Sequence, residues 1–162
     1  MKYFPISNTL FSKKRKHFVE NMLDNSIAFF NSNDCYPVSA DTTLPFEQHR
    51  DLFYLSGINQ EETVLLIYKY NDSNYEEVLF LTKPNDLLTH WEGERLNEEK
   101  AYSISGIKTV YWLEQLDVVV KKIMQNVKIL YLNKNEHYRA KVETETREKR
   151  SNGTEQKIIP NL

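Results

Sequence analysis

The sequence has little of what marks several large classes of protein. Its only cysteine, Cys35, excludes an internal disulfide and suits a reducing compartment. Four glycines and five prolines argue against a linker-rich or collagen-like chain. No apolar run approaches the length of a transmembrane helix, and residues 1–5 lack the apolar region of a signal peptide. We therefore expect a cytoplasmic protein, with one domain as the prior for 162 residues.

Neither sign of charge is in excess, because 21 basic and 23 acidic residues give a net charge of −2. This balance gives no electrostatic reason to expect nucleic acid or an anionic membrane as a partner. The basic run Lys13–Lys16 is interpreted as the solvated face of a first helix, with a nucleic-acid or localisation patch as the alternative.

Patterns typical of enzymes are also scarce. The histidines at positions 17, 49, 90 and 137 do not have metal-ligand spacing. The sequence has no phosphate-binding glycine loop and no serine-nucleophile motif. Cys35 has no histidine close in sequence to favour a reactive thiolate. Glu92 and Glu94 could form a general acid–base pair around Gly93, but alternation in a turn points such side chains apart.

Hydrophobic periodicity predicts a mixed α/β domain. The strongest strand signal is Thr63–Tyr70, a continuous β-branched and aromatic run typical of a strand covered on both faces. A returning strand at 77–82 makes a hairpin with a longer loop at 71–75. Other strands are predicted at 27–30, 108–112 and 127–132, and helices at 7–23, 86–90, 97–103 and 113–124. The apolar segment Leu52–Leu55, closed by Gly57, fits either a strand or one helical turn.

The character of the chain changes after Asn133. Residues 134–150 are mostly charged and of both signs, and an Asn-Gly turn follows. We assign residues 1–133 to one domain and residues 134–162 to a charged tail that begins a linker.

Several short sequence words resemble, in order and spacing, the N-terminal domain of Xaa-Pro aminopeptidase (aminopeptidase P). The similarity runs from about Phe11 to Leu132. The words are Ser39-Ala40-Asp41, Phe46-Glu47-Gln48, Asp51–Gly57, Val64–Tyr70, Val78-Leu79-Phe80, Trp91-Glu92-Gly93-Glu94-Arg95 and Ala101. The resemblance implies the creatinase/prolidase N-terminal fold, a ribonuclease H-like α/β arrangement with a mixed, roughly six-stranded sheet flanked by helices.

The same resemblance implies where the chemistry lies. In that family a separate C-terminal domain holds two divalent ions, usually manganese, and cleaves the bond before a proline that is second in a peptide. No catalytic or metal-binding residue is therefore expected in this chain. The implied partners of the domain are its own catalytic domain, further copies of the protein and proline-containing peptides.

The resemblance also implies roles for individual residues. Trp91 and Asp41 match family residues at the mouth of a neighbouring subunit's active site. The structural motif residues are Arg95, Gly93, Asp51 and Gly57, of which Arg95 is expected to hold local geometry. Glu47 stands where family members often have arginine, which removes the basis for a charge-specific contact there.

From the residues alone, Trp91 fits a cap on the core as well as an exposed platform for a ligand or subunit. The alternative to an aminopeptidase domain is a stand-alone module of the same fold that binds peptides or proteins. A third hypothesis is a small enzyme that uses Glu92 and Glu94.

Overall fold

A computed structural model describes residues 6–39, 42–84, 93 and 95–132. The chain divides into two compact units, one of residues 1–33 with 47–133 and the other of residues 34–46 with 134–162. The boundary predicted at 133/134, the helix expected at 86–90 and the charged tail lie outside the described residues, so they stay predictions.

The larger unit is built on a mixed sheet. Its strands are β1 (Ser26–Asn31), β4 (Val64–Asn71), β5 (Asn74–Leu81), β6 (Thr109–Trp112) and β7 (Ile129–Leu132), in the order β6-β5-β4-β1-β7. The pairs β1/β4 and β4/β5 are antiparallel, whereas β5/β6 and β1/β7 are parallel. The predicted mixed sheet is confirmed, with five strands rather than about six in the described part of the chain.

Helices flank this sheet. Those described are α1 (Asn8–Glu20), α2 (Arg50–Ser56), α3 (Glu98–Ser105) and α4 (Leu116–Met124), with a 3₁₀ turn at Leu113–Gln115 before α4. Side chains of Ser7 and Asn97 cap the first turns of α1 and α3, because each accepts a hydrogen bond from a backbone N–H. The segment Leu52–Leu55 is therefore helical, and Gly57 ends α2 in the left-handed conformation.

Strand β4 is buried on both faces, as its sequence predicts. Leu65 and Ile67 belong to the core cluster that also contains residues of α1, α2 and α3. Leu66 and Tyr68 belong to a second cluster, against which apolar residues of α4 pack. Successive residues of a strand point to opposite faces, so a continuous apolar run is what a two-sided sheet requires.

The hairpin between β4 and β5 is tighter than predicted. Asn71 pairs with Asn74, which leaves Asp72 and Ser73 as a two-residue turn. The Ser73 N–H donates to Asn71 Oδ1 at 3.0 Å, an Asx-type contact that stabilises such turns. The longer loop at 71–75 was wrong, because these polar residues continue the strands instead of interrupting them.

The smaller unit contains a short antiparallel pair, β2 (Pro37–Ser39) and β3 (Thr42–Thr43). Strand β2 was not predicted, because the Asn, Asp, Ser and Pro residues of 31–37 are typical of a loop. Cys35 lies in this unit, half-buried and outside any disulfide. None of the described helices is long and apolar enough to cross a membrane.

Candidate functional site

Arg95 is held by two neighbouring carboxylates. Its Nη2 lies 3.3 Å from Glu61 Oε1, and its Nη1 lies 3.2 Å from Glu62 Oε2. The arginine side chain is 17% exposed, so the pairs are partly shielded from water. These contacts tie the end of the Trp91–Arg95 motif to the turn that precedes β4. The family resemblance implies that Arg95 holds the local geometry of the motif, and that role stays a prediction.

Glu62 also binds the chain upstream of the Trp91–Arg95 motif. Thr82, just after β5, donates its hydroxyl to Glu62 Oε2 at 3.0 Å. The same carboxylate oxygen therefore receives hydrogen bonds from Thr82 and Arg95, which precede and follow residues 85–92. Glu62 has a φ of 52°, a conformation that non-glycine residues adopt rarely and that is enriched at functional sites.

Two glutamines extend this anchor to the segment before α2. The side-chain amide of Gln48 donates to the Gln60 carbonyl at 2.8 Å. The Gln60 side-chain carbonyl in turn accepts the Leu96 N–H at 2.8 Å. We call Gln48, Gln60, Glu61, Glu62 and Arg95 the anchor cluster. It joins the entrance of α2, the turn before β4 and the segment before α3.

Two further motif residues lie at opposite ends of α2. Asp51 is exposed in the first turn, where a carboxylate suits the helix dipole, and its N–H donates to His49 Nδ1 at 3.3 Å. Gly57 has a φ of 71°, and a Cβ at this position would collide with the Phe11 ring. Both the conformation and the space therefore require glycine.

The structure contains a buried arginine that sequence reasoning missed. Arg15 is fully buried, with Nη1 donating to the carbonyls of Leu55 at 2.8 Å and Ser105 at 2.9 Å. Its Nε lies 2.9 Å from Glu77 Oε2 on β5. The interpretation of the basic run as a solvated face is thus wrong for Arg15. The available signal was its spacing, because position 15 falls on the buried stripe with Phe11 and Val19.

Burial raises the pKa of Glu77 above its ordinary value, and the adjacent Arg15 guanidinium opposes that rise. The other lysines of the run behave as a surface: Lys13 and Lys16 are exposed, and Lys14 stands 3.9 Å from the centre of the Tyr54 ring.

Other predicted site residues lie outside the described part of the chain, namely Asp41, Trp91, Glu92 and Glu94. Gly93 is described and exposed, with a φ of 86° and no described atom within 4 Å of where a Cβ would sit. Within the described ranges, no group of three or more His, Cys, Asp or Glu side chains is placed to hold a metal ion.

A match to a known protein family shows to which family this chain belongs. The family described as "Aminopeptidase P, N-terminal domain" matches residues 11–131. The chain belongs to the aminopeptidase P N-terminal domain family. The anchor cluster, the Trp91–Arg95 motif and the sheet up to Tyr131 fall within the matched residues, so the resemblance predicted from the sequence words is confirmed.

Curated relatives of this aminopeptidase P N-terminal domain are whole peptidases. The chain is 28% identical to Xaa-Pro aminopeptidase of Escherichia coli over 138 residues, covering 85% of this chain and 31% of that protein. It is 30% identical to the Haemophilus influenzae Xaa-Pro aminopeptidase over 121 residues, covering 75% and 28%. The chain thus spans about a third or less of the length of these relatives.

Solved structures give the same relationship. A solved structure from Bacillus anthracis, assigned as an aminopeptidase P, aligns with a TM-score of 0.80 and 28% identity, over 88% of this chain and 34% of that one. Escherichia coli aminopeptidase P with the inhibitor Pro-Leu aligns with a TM-score of 0.76 and 26% identity, over 85% and 31%. The Escherichia coli enzyme has also been solved in a zinc-substituted form with product, so that relative is a metalloenzyme.

Proposed function

We propose that this chain is the non-catalytic N-terminal domain of a metal-dependent Xaa-Pro aminopeptidase, which removes an N-terminal residue that precedes proline. The observation that carries the proposal is the family match over residues 11–131. Its relatives carry most of their length outside the aligned part, as the 31% coverage of the Escherichia coli enzyme illustrates. We place hydrolysis, and a manganese pair, in such a part and not in this domain.

Within the whole enzyme we assign this domain to oligomer contacts and to the mouth of a neighbouring subunit's active site. Trp91 would supply an apolar wall and Asp41 an acidic group that engages a free amine of a peptide. The anchor cluster supports this assignment, because Glu62 binds the chain on both sides of residues 85–92. The proposed compartment is the cytoplasm.

The test compares this 162-residue chain with the product of the whole reading frame in the presence of added manganese. The substrate is a short peptide with proline in second place, and the matched control peptide has alanine there. We expect the longer protein to cleave only the proline peptide and the chain alone to cleave neither.

Cleavage by the isolated chain would contradict the non-catalytic assignment and direct attention to Glu92 and Glu94. If neither protein cleaves although both are folded and the longer one is loaded with manganese, the peptidase proposal is wrong. The stand-alone binding module of the same fold would then take its place.

A further inference from the structure

A cavity of about 450 Å³ opens on the sheet face that α4 covers. Strands β4, β5 and β6 form one wall, and helix α4 with the residues just after it forms the other. The volume lies within the range of small-molecule sites, about 300–1,000 Å³. The anchor cluster contributes no residue to it, so the cavity is separate from the site discussed above.

Three tyrosine rings line this cavity. Tyr68 and Tyr70 are two residues apart on β4 and so point to the same face, with ring centres 4.1 Å apart. Tyr111 on β6 lines the same cavity. The buried Tyr68 hydroxyl has no hydrogen-bond partner among the described residues, although buried polar atoms are rarely left unsatisfied. Aromatic faces are electron-rich, and they attract ammonium groups.

The charged residues of the lining comprise one of each sign. Glu76 on β5 faces Tyr70, whose hydroxyl donates to Glu76 Oε1 at 2.9 Å. Burial and this carboxylate raise the pKa of Tyr70 to about 12, so Tyr70 stays a neutral donor at physiological pH. Lys122 projects from α4 into the same lining. Neither Glu76 nor Lys122 forms an ion pair within the part of the chain that the structure describes.

We propose that this cavity binds a small zwitterion of amino-acid size. Its ammonium group lies against the tyrosine rings and Glu76, and its carboxylate pairs with Lys122. Glu76 and Lys122 are both exposed at the cavity, so each stays solvated without a ligand, but only a ligand that carries both charges pairs with both of them. The valines of the lining leave room for an aliphatic body. The inference does not depend on the proposed peptidase role.

Three isosteric probes separate the contributions of the two charges. Glycine betaine carries both charges, choline lacks the carboxylate, and 3,3-dimethylbutanoate lacks the cationic head. Titrations followed by amide chemical shifts on the isotope-labelled chain should show saturable binding of betaine at millimolar concentration. We expect each single-charge probe to bind roughly fivefold to tenfold more weakly, with shifts confined to β4, β5, β6 and α4.

Two variants assign the charges, and each is expected to leave the fold intact because both positions are exposed. Lys122→Gln should reduce betaine affinity to that of choline, while Lys121→Gln on the neighbouring exposed position serves as its control. Glu76→Gln keeps an acceptor for Tyr70 and should reduce betaine affinity to that of the butanoate. Tyr75→Phe, which removes a hydroxyl from the opposite sheet face, should have no effect.

Equal affinity for all three probes would overturn the proposal and leave an apolar cavity without charge recognition. Absence of saturable betaine binding, or shifts centred on other elements, would overturn it as well.

Discussion

Arg15 connects parts of the larger unit that are far apart in sequence. Its guanidinium reaches carbonyls at the ends of α2 and α3 and a carboxylate on β5. The Arg15 guanidinium is fully buried, so removing any of its hydrogen-bond partners would leave a buried N–H unsatisfied. The planar fork of arginine supplies several donors in fixed directions, which a lysine does not.

Replacing Arg15 with alanine should destabilise the domain strongly. We expect the free energy of unfolding to fall by about 3–5 kcal/mol, as when one partner of a buried ion pair is removed. Urea denaturation measures the change, with Lys16→Ala on the exposed face as the control, expected within about 0.5 kcal/mol of the parent chain. A loss in Arg15→Ala no larger than in the control would show that these contacts contribute little.

Residue types alone could not reveal the anchor cluster. Glu61 and Glu62 read as surface charges before a strand, because their partner Arg95 is more than thirty positions away in sequence. Pairing at such separation is set by the tertiary fold, which periodicity does not encode. Family resemblance marked Arg95 but not the carboxylates that bind it.

Helices α2 and α3 end in the same way. Each finishes with Ser-Gly-Ile: the serine hydroxyl donates to the carbonyl four residues earlier and accepts the isoleucine N–H, and the glycine is left-handed. This short repeat in Ser56–Ile58 and Ser105–Ile107 is visible in the sequence, but only the structure shows that Arg15 binds next to both. Each serine hydroxyl thus supplies an acceptor for the isoleucine N–H just beyond the helix end.

Glycine at the end of α2 should tolerate alanine worse than glycine in the exposed motif. Gly57→Ala and Gly93→Ala share the strain of a positive φ, about 1–2 kcal/mol. Only Gly57 adds a collision with the buried Phe11 ring, which should cost about 1–3 kcal/mol more. Thermal or urea unfolding of both variants gives the difference directly. Equal losses would mean that the Phe11 ring moves aside without cost.

Most elements could be predicted because their sequences carry a clear period. Strand β4 and the helix ending at Met124 were located to within a few residues, since one is continuously apolar and the other amphipathic. Strands β2 and β3 were missed because three and two residues do not establish a period. The length of the turn at Asp72-Ser73 was overestimated, because polar composition alone does not distinguish a tight turn from a loop.

For the whole molecule, the decisive residue of the proposed function is Trp91. We expect Trp91→Ala to leave this chain folded and to lower kcat/KM for a proline peptide in the whole enzyme, because the residue would contact peptide and not core. Tyr102→Ala, which removes an exposed aromatic from α3, is the matched control and should leave activity unchanged.

The opposite outcome is equally measurable. If Trp91→Ala lowers the stability of this chain by roughly 3–5 kcal/mol, as truncation of a core tryptophan does, then Trp91 is a core residue. The proposed apolar wall at the mouth of the active site would then lack the Trp91 side chain.

Because α2 and α3 share the Arg15 guanidinium, local opening of their last turns should be coupled. The last turns of α2 and α3 both hydrogen-bond to Arg15, so one turn cannot swing out without depriving the side chain that also holds the other. In native-state amide hydrogen exchange the two turns should therefore behave as one opening unit, although almost fifty residues separate them along the chain.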